Sequence, residues 1–138
     1  MFEEFWDKLT TDVEDIDTQH ASLFKAVQRF EHKNKTKEDL WNILLEIERY
    51  ACVHFETEEK YMSKFSYPDI ETHIKEHQDF LNKFNELKCF FDVTGFSEEF
   101  VTDFQKFILE WLTSHYTDAD IKMAEFTKQR LKQIKSQE

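Results

Sequence analysis

Gly95 and Pro68 are the only glycine and the only proline in a chain of 138 residues. An all-β fold needs a tight turn every ~10 residues, and most such turns call for Gly, Pro, Asn or Asp. So little turn chemistry favours a few long helices joined by short connections. Breaks are expected around "SYPD", where Pro68 cannot continue a helix but can begin one, and around "VTGFSEE". In the second stretch Gly95 suits a helix C-terminus and Ser97 an N-cap, with Glu98 and Glu99 favourable in the first turn.

Four apolar stripes follow the i, i+3, i+4, i+7 spacing of a helix face. The first holds Ile16, His20, Leu23, Phe24 and Val27. The second starts after "NKTKED", where Thr36 and Asp39 have capping-box spacing. It runs through Leu40, Ile43, Leu44, Ile47, Ala51, His54, Phe55, Glu58, Met62 and Phe65. The third is Ile70, His73, Ile74, His77, Phe80, Leu81, Phe84 and Leu87, and the fourth Phe100, Phe104, Phe107, Ile108, Trp111, Leu112 and His115. Long amphipathic helices with short connections pack as antiparallel neighbours. The expectation is an all-α fold, an up-down-up-down four-helix bundle. An N-terminal segment carrying Phe2, Phe5 and Trp6 should cross it, and a short fifth helix should follow over 121–134. Hydrophobic residues make up 40% of the chain, enough for one core, so residues 1–138 read as a single domain.

The net charge of −11 disfavours nucleic acid and anionic membrane surfaces as partners, because phosphate binding wants a basic face. No apolar run approaches the ~20 residues of a membrane span. The start, "MFEEFWDKL", is acidic and lacks the basic and apolar parts of a signal peptide. Cys52 and Cys89 form no metal or redox motif. The expected location is the reduced cytoplasm, with Cys52 a small residue of the core or its boundary.

The stripes carry polar residues where a core should be apolar. Of six histidines, His20, His54, His73, His77 and His115 lie on the inward faces, and only His32 falls in a charged loop. One histidine on an apolar face is an ordinary core residue with a satisfied ring. Five on four helices, with Glu58 among them, would cost several kcal/mol if buried without partners, on the order of 1–3 for each unsatisfied group. A metal supplies the partner. His54 and Glu58 are i, i+4, as are His73 and His77, so each pair lies one turn apart on one face. Antiparallel packing brings His20, His54, His73, His77 and His115 level at one end of the bundle. Asp120 follows His115 by five residues, ~500° around an ideal helix, so for both to bind the helix must end or bend between them. Thr117 and Asp118 offer capping groups for such a break; otherwise Asp120 is a solvated carboxylate or a cap. Nitrogen and carboxylate donors without thiolate suit iron, zinc, manganese or copper. Seven donors exceed the four of a tetrahedral zinc, and two metals sharing the carboxylates is the better fit.

Through "IDTQH", "HFETEEKYM", "SYPDIETHIKEHQDF" and "WLTSHYTDAD" the chain resembles the hemerythrin family, most closely its bacterial type. The resemblance covers most of the chain in order and implies a four-helix bundle around a non-haem di-iron centre with an oxo or hydroxo bridge. It implies that His73, His77 and His115 bind one iron, His20 and His54 the other, and that Glu58 and Asp120 bridge both. Two six-coordinate irons then keep one open position, on the two-histidine side. The implied function is reversible O2 binding there as a hydroperoxide, for storage, delivery or sensing, without catalysis. The alternative is a di-iron redox enzyme or sensor on the same scaffold, acting on peroxide or nitric oxide. The histidine-rich donor set disfavours it, because neutral rings give less charge to high-valent iron. The implied ligand is O2, bound by a monomer or homo-oligomer; any sensed signal would pass through a protein partner. Leu23, Phe55, Trp111 and Leu112 should line the ligand pocket by family position, and ordinary core packing is compatible with that role. Two departures stand out. Tyr116 occupies a position where the family commonly has Ile, and its phenol would bond a ligand or admit water and so alter autoxidation. Asp12 stands where many bacterial members have a small residue, which should affect loop geometry more than iron.

Overall fold

The computed structural model describes residues 14–31 and 33–136. The expectations for Phe2, Phe5, Trp6, Asp12 and His32 lie outside the described residues, as does that for the side chain of Ile16.

The helices are α1 (Glu14–Arg29), α2 (Lys37–Lys64), α3 (Ile70–Thr94), α4 (Glu98–Ser114) and α5 (Ile121–Ser136). A six-residue π-helical segment, His115–Asp120, joins α4 to α5 without a gap. The first four form an antiparallel bundle, and α5 closes one end of it against α2 and the π segment.

Helix ends follow the local chemistry. At the start of α2, Thr36 and Asp39 form a full capping box: the Asp39 amide donates to Thr36 Oγ1 at 3.1 Å, and the Thr36 amide donates to Asp39 Oδ2 at 2.9 Å. Replacing Thr36 with alanine is expected to cost about 1 kcal/mol in chemical unfolding without altering the site, which lies several turns away. Ser97 Oγ accepts the Phe100 amide at 3.0 Å and starts α4. Gly95 ends α3 at φ 77°, ψ −174°, a backbone conformation hostile to any side chain even though a Cβ would meet no atom within 4 Å. Pro68 precedes α3 by two residues and does not open it. Asp69 is the N-cap residue but makes no side-chain cap, and its carboxylate instead meets Lys122 Nζ at 2.9 Å, linking the start of α3 to α5.

All ten positions of the second stripe are buried. The third and fourth stripes bury His73, His77, Phe80 and Phe84, and Phe100, Phe104, Ile108, Leu112 and His115. Their flanking members Ile70, Ile74, Leu81, Leu87, Phe107 and Trp111 are half-buried, and Phe30, Phe91 and Val101 join the core beyond the expected sets. Cys52 is not a core residue: it is exposed, as is Cys89. One step beyond the inward Ala51 turns a side chain ~100° around the helix, away from the face that Ala51 and His54 hold.

The core has two apolar parts. The larger is rich in phenylalanine: Phe30 meets Phe104 at 4.6 Å between ring centroids, and Phe84 meets Phe104 at 5.5 Å. The smaller, Met62, Tyr67 and Met123, sits beyond Glu58 and Asp120 toward the closed end. Between the two lies a layer of buried polar side chains. None of the helices is long and apolar enough to cross a membrane, among the described residues.

Candidate metal centre

Four elements supply the polar layer: His20 from α1, His54 and Glu58 from α2, His73 and His77 from α3, and His115 and Asp120 from the two ends of the π segment. Each is at most 3% exposed, so water does not satisfy them.

The π segment resolves the spacing of His115 and Asp120. Hydrogen bonding from i to i+5 adds one residue to the turn, so side chains five apart return to nearly the same face. Both are buried, and His115 Nε2 lies 2.9 Å from Asp120 Oδ1. The expected capped break is therefore replaced by a wider turn within one continuous helix. Thr117 does not cap: its hydroxyl donates to the Thr113 carbonyl. Asp118 is exposed.

The donor atoms form two overlapping sets. Glu58, His73, His77, His115 and Asp120 make one; His20, His54 and Asp120 make the other; the ligand atoms within each lie within 4.8 Å of one another. Asp120 Oδ1 faces His115 Nε2 and lies 3.0 Å from His73 Nε2, while Oδ2 lies 3.2 Å from His20 Nε2 and 3.6 Å from His54 Nε2. Glu58 also reaches across: Oε1 is 3.0 Å from His54 Nε2 and 3.3 Å from His77 Nε2, and Oε2 is 3.6 Å from His73 Nε2.

Of these carboxylate–ring approaches only that of Asp120 Oδ2 to His20 Nε2 is made as a hydrogen bond. Both Glu58 oxygens, Asp120 Oδ1 and His73 Nε2 are buried without a hydrogen-bond partner. His20 and His54 turn Nε2 toward Nε2 at 2.9 Å, and His77 and His115 do so at 3.2 Å. Lone pairs of like donors converging on a common point, with orphaned carboxylate oxygens beside them, are the arrangement a cation satisfies. The residues present fit a metal pair.

The outer ring nitrogens are held from behind. His115 Nδ1 lies 3.1 Å from Glu76 Oε2, and His54 Nδ1 lies 3.1 Å from Gln19 Oε1, whose amide nitrogen donates to Thr57 Oγ1 at 2.9 Å. Glu59 Oε2 lies 3.7 Å from His77 Nδ1. The two 3.1 Å bonds fix ring orientation and tautomer and leave Nε2 free for a metal, whereas His77 Nδ1 makes no hydrogen bond. Sequence reasoning did not single out Gln19, Glu59 or Glu76. Their signal was a polar side chain immediately before a candidate ligand (Gln19, Glu76) or after one (Glu59), near the edge of an inward face.

Burial, the largest influence on every ring, favours neutral imidazole and wins at His20 and His77, whose pKa values fall. The paired carboxylates outweigh it at His54 and His73, raised to about 9, and at His115, raised to about 10. Burial and Asp120 press the Glu58 carboxyl upward, but the histidines, His54 foremost, bring it down to about 2. Asp120 is held well below its ordinary value: burial raises it, and His115 and the bonds around it outweigh that. A metal ligand must be a neutral imidazole, so a cation entering this layer competes with protons on His54, His73 and His115. Cation binding is expected to release protons at pH 7 and to tighten as pH rises toward 9, which titration of Zn2+ or Fe2+ in two buffers of different ionisation enthalpy measures.

The expected pocket residues divide between the two halves. Phe55 stacks on His77 (4.0 Å, 10° between planes) and Trp111 on His115 (4.3 Å, 15°), both on the three-histidine side. Tyr116 stacks on His20 (3.6 Å, 20°) and meets His54 edge-on at 5.6 Å. Leu23 and Leu112 are fully buried in the adjoining core. Phe24, not among the expected pocket residues, lies edge-on to Tyr116 at 6.1 Å. Burial pushes the Tyr116 phenol well above its ordinary value of 10, with Asp120 and Glu58 adding to it.

A bundle whose buried layer pairs five histidines with two carboxylates defines a class of metal-binding four-helix protein. Residues 11–126 match the model of the hemerythrin HHE cation binding domain, and the chain belongs to the hemerythrin family. The myohemerythrin of Theromyzon tessulatum is 31% identical over 121 residues, covering 88% of this chain and 84% of its own. The bacteriohemerythrin of Clostridium acetobutylicum is 24% identical over 123 residues, covering 83% of this chain and 92% of its own. That of Methylococcus capsulatus is 27% identical over 112 residues, with 80% and 84% covered. A crystal structure of a leucine-to-phenylalanine mutant shares the fold at a TM-score of 0.75 and 21% identity, covering 85% of this chain and 89% of its own.

Proposed function

We propose that this chain binds two iron ions in the buried layer and uses them to bind O2 reversibly, for storage, delivery or sensing. His73, His77 and His115 would hold one iron and His20 and His54 the other, with Glu58 and Asp120 shared between them. The observation that carries this reading is the place of Asp120 in both donor sets, one oxygen toward each. When bound, an iron pair would supply the electrons that O2 takes up, and the two-histidine side, with fewer donors, would leave room for it.

The protein's own residues do the rest. Glu76 and Gln19 hold the rings of His115 and His54 at fixed orientations. Phe55 and Trp111 cover the rings of the three-histidine side, and Leu23 and Leu112 add apolar wall, so bulk water does not enter. This reading assigns binding and release, with no catalytic residue.

The test is iron content together with the visible spectrum of purified protein: reduced without air, after air, and after O2 is removed. Two irons per chain with colour that appears with O2 and fades on its removal are expected. Immediate conversion to a stable oxidised form, with sustained turnover when a reductant is supplied, would move the assignment to a di-iron redox enzyme. Absence of iron after reconstitution would overturn it.

A further inference from the structure

We propose that Tyr116 is a ligand-selecting residue: its hydroxyl donates a hydrogen bond to the small molecule lodged at the two-histidine end of the site, favouring anionic ligands over neutral ones. The inference rests on the iron reading above and adds to it which ligands this chain prefers.

Three observations converge. First, the Tyr116 hydroxyl is buried without a hydrogen-bond partner, and the residue is 0% exposed. Leaving such a group unsatisfied is destabilising, and phenylalanine would fill nearly the same volume without that cost. Second, the ring lies against His20 and His54, the two rings of the half with the open position, and is 6.1 Å from His115 at a tilt. Third, among the described residues its apolar neighbours offer no acceptor: Phe24 lies edge-on to the ring, and the ring belongs to the same buried cluster as Leu23 and Leu112. His20, His54 and Tyr116 are all 0% exposed, so the hydroxyl acts as a donor within a closed site and not as a path for bulk water.

A bond from a neutral hydroxyl to an anion is stronger than one to a neutral acceptor. The hydroxyl therefore adds most to a ligand that carries negative charge and least to a neutral diatomic that accepts weakly. Selection then comes from a group that sits beside the ligand and leaves the metal donors untouched.

The experiment compares the native chain with Tyr116→Phe in three readouts: iron per chain, azide affinity of the oxidised form, and nitric oxide affinity of the reduced form. Two irons in both proteins are expected, with azide bound at least about tenfold more weakly by the variant and nitric oxide changed by less than about threefold. Thermal stability of the metal-free variant should equal or exceed the native value, because the change removes an unsatisfied group; a hydroxyl with only a structural role would give a loss there. Equal azide affinity in two fully loaded proteins would overturn the inference and leave the iron reading intact. So would a visible phenolate-to-iron band in the native, azide-free oxidised form that vanishes in the variant, since the phenol would then be a ligand itself. Failure of the native chain to hold iron would overturn the iron reading and this inference with it.

Discussion

Replacing Asp120 with alanine is expected to reduce iron from two per chain to one or none. Among the described residues no other side chain belongs to both donor sets, and its two oxygens lie 2.9–3.6 Å from His115, His73, His20 and His54. Without it the two-histidine half keeps two rings and whatever share of Glu58 Oε1 it can draw from His77. Two imidazoles and part of a carboxylate fall short of the donor count that holds a divalent or trivalent ion in water. The three-histidine half retains three rings and Glu58, so a single, weaker ion is the most it should keep.

The fold should survive the change. A buried charge stripped of its partner costs about 3–5 kcal/mol where it must stay charged. His115 need not: Asp120 is what chiefly holds it up at about 10 against burial, so the ring discharges once the carboxylate has gone. Helicity by circular dichroism should therefore be retained while iron content falls. Asp118→Ala, at an exposed position two residues earlier on the same π segment, is the control and should keep both irons. Two irons in Asp120→Ala would remove Asp120 from the centre.

The contrast between Asp118 and Asp120 shows where the sequence was legible. On α2 the apolar stripe is long and continuous, so one periodicity fixes the whole inward face, including His54 and Glu58. His73, His77 and His115 followed by the same rule. Asp120 did not, because the α-helical angle sends a residue five positions on to the far side. Widening the turn is a response to what the two side chains must reach, and no local propensity in "HYTDAD" announces it. Hence the need for a change in helix geometry was readable and its form was not. Contacts between helices were hidden for a related reason. Glu76 reaches His115 across 39 residues, and Gln19 reaches His54 across 35; a pattern counted along one helix does not register a partner on another. Cys52 shows the converse error: with no metal or redox motif it was expected as a small residue of the core or its boundary, but the helix turns it outward.

Phe55→Ala is expected to destabilise the protein by about 3–5 kcal/mol, a large part of the 5–15 that a domain of this size has. The ring is 2% exposed and touches the site and the core at once: it stacks on His77 at 4.0 Å and meets Phe80 and Trp111 edge-on at 5.6 Å each. Phe84→Ala separates the two roles. Phe84 is 0% exposed and packs on Phe80 and Phe104, with no ring contact to a histidine. Both truncations leave a cavity of similar size, so denaturant unfolding should show similar losses. Only Phe55→Ala opens that cavity onto the ring of a metal-binding candidate. Freed from its stacking partner, His77 gains room to tilt away from Glu58, and water gains a place beside it. Iron release to a chelator should then quicken by roughly tenfold or more in Phe55→Ala, the order seen when the surroundings of metal ligands are altered, and stay near the native rate in Phe84→Ala. Equal release rates in the two variants would make Phe55 a core residue and nothing more. Faster release confined to Phe55→Ala would mean that the apolar wall sets how long the centre keeps its metal, since the seven donors are the same in both proteins.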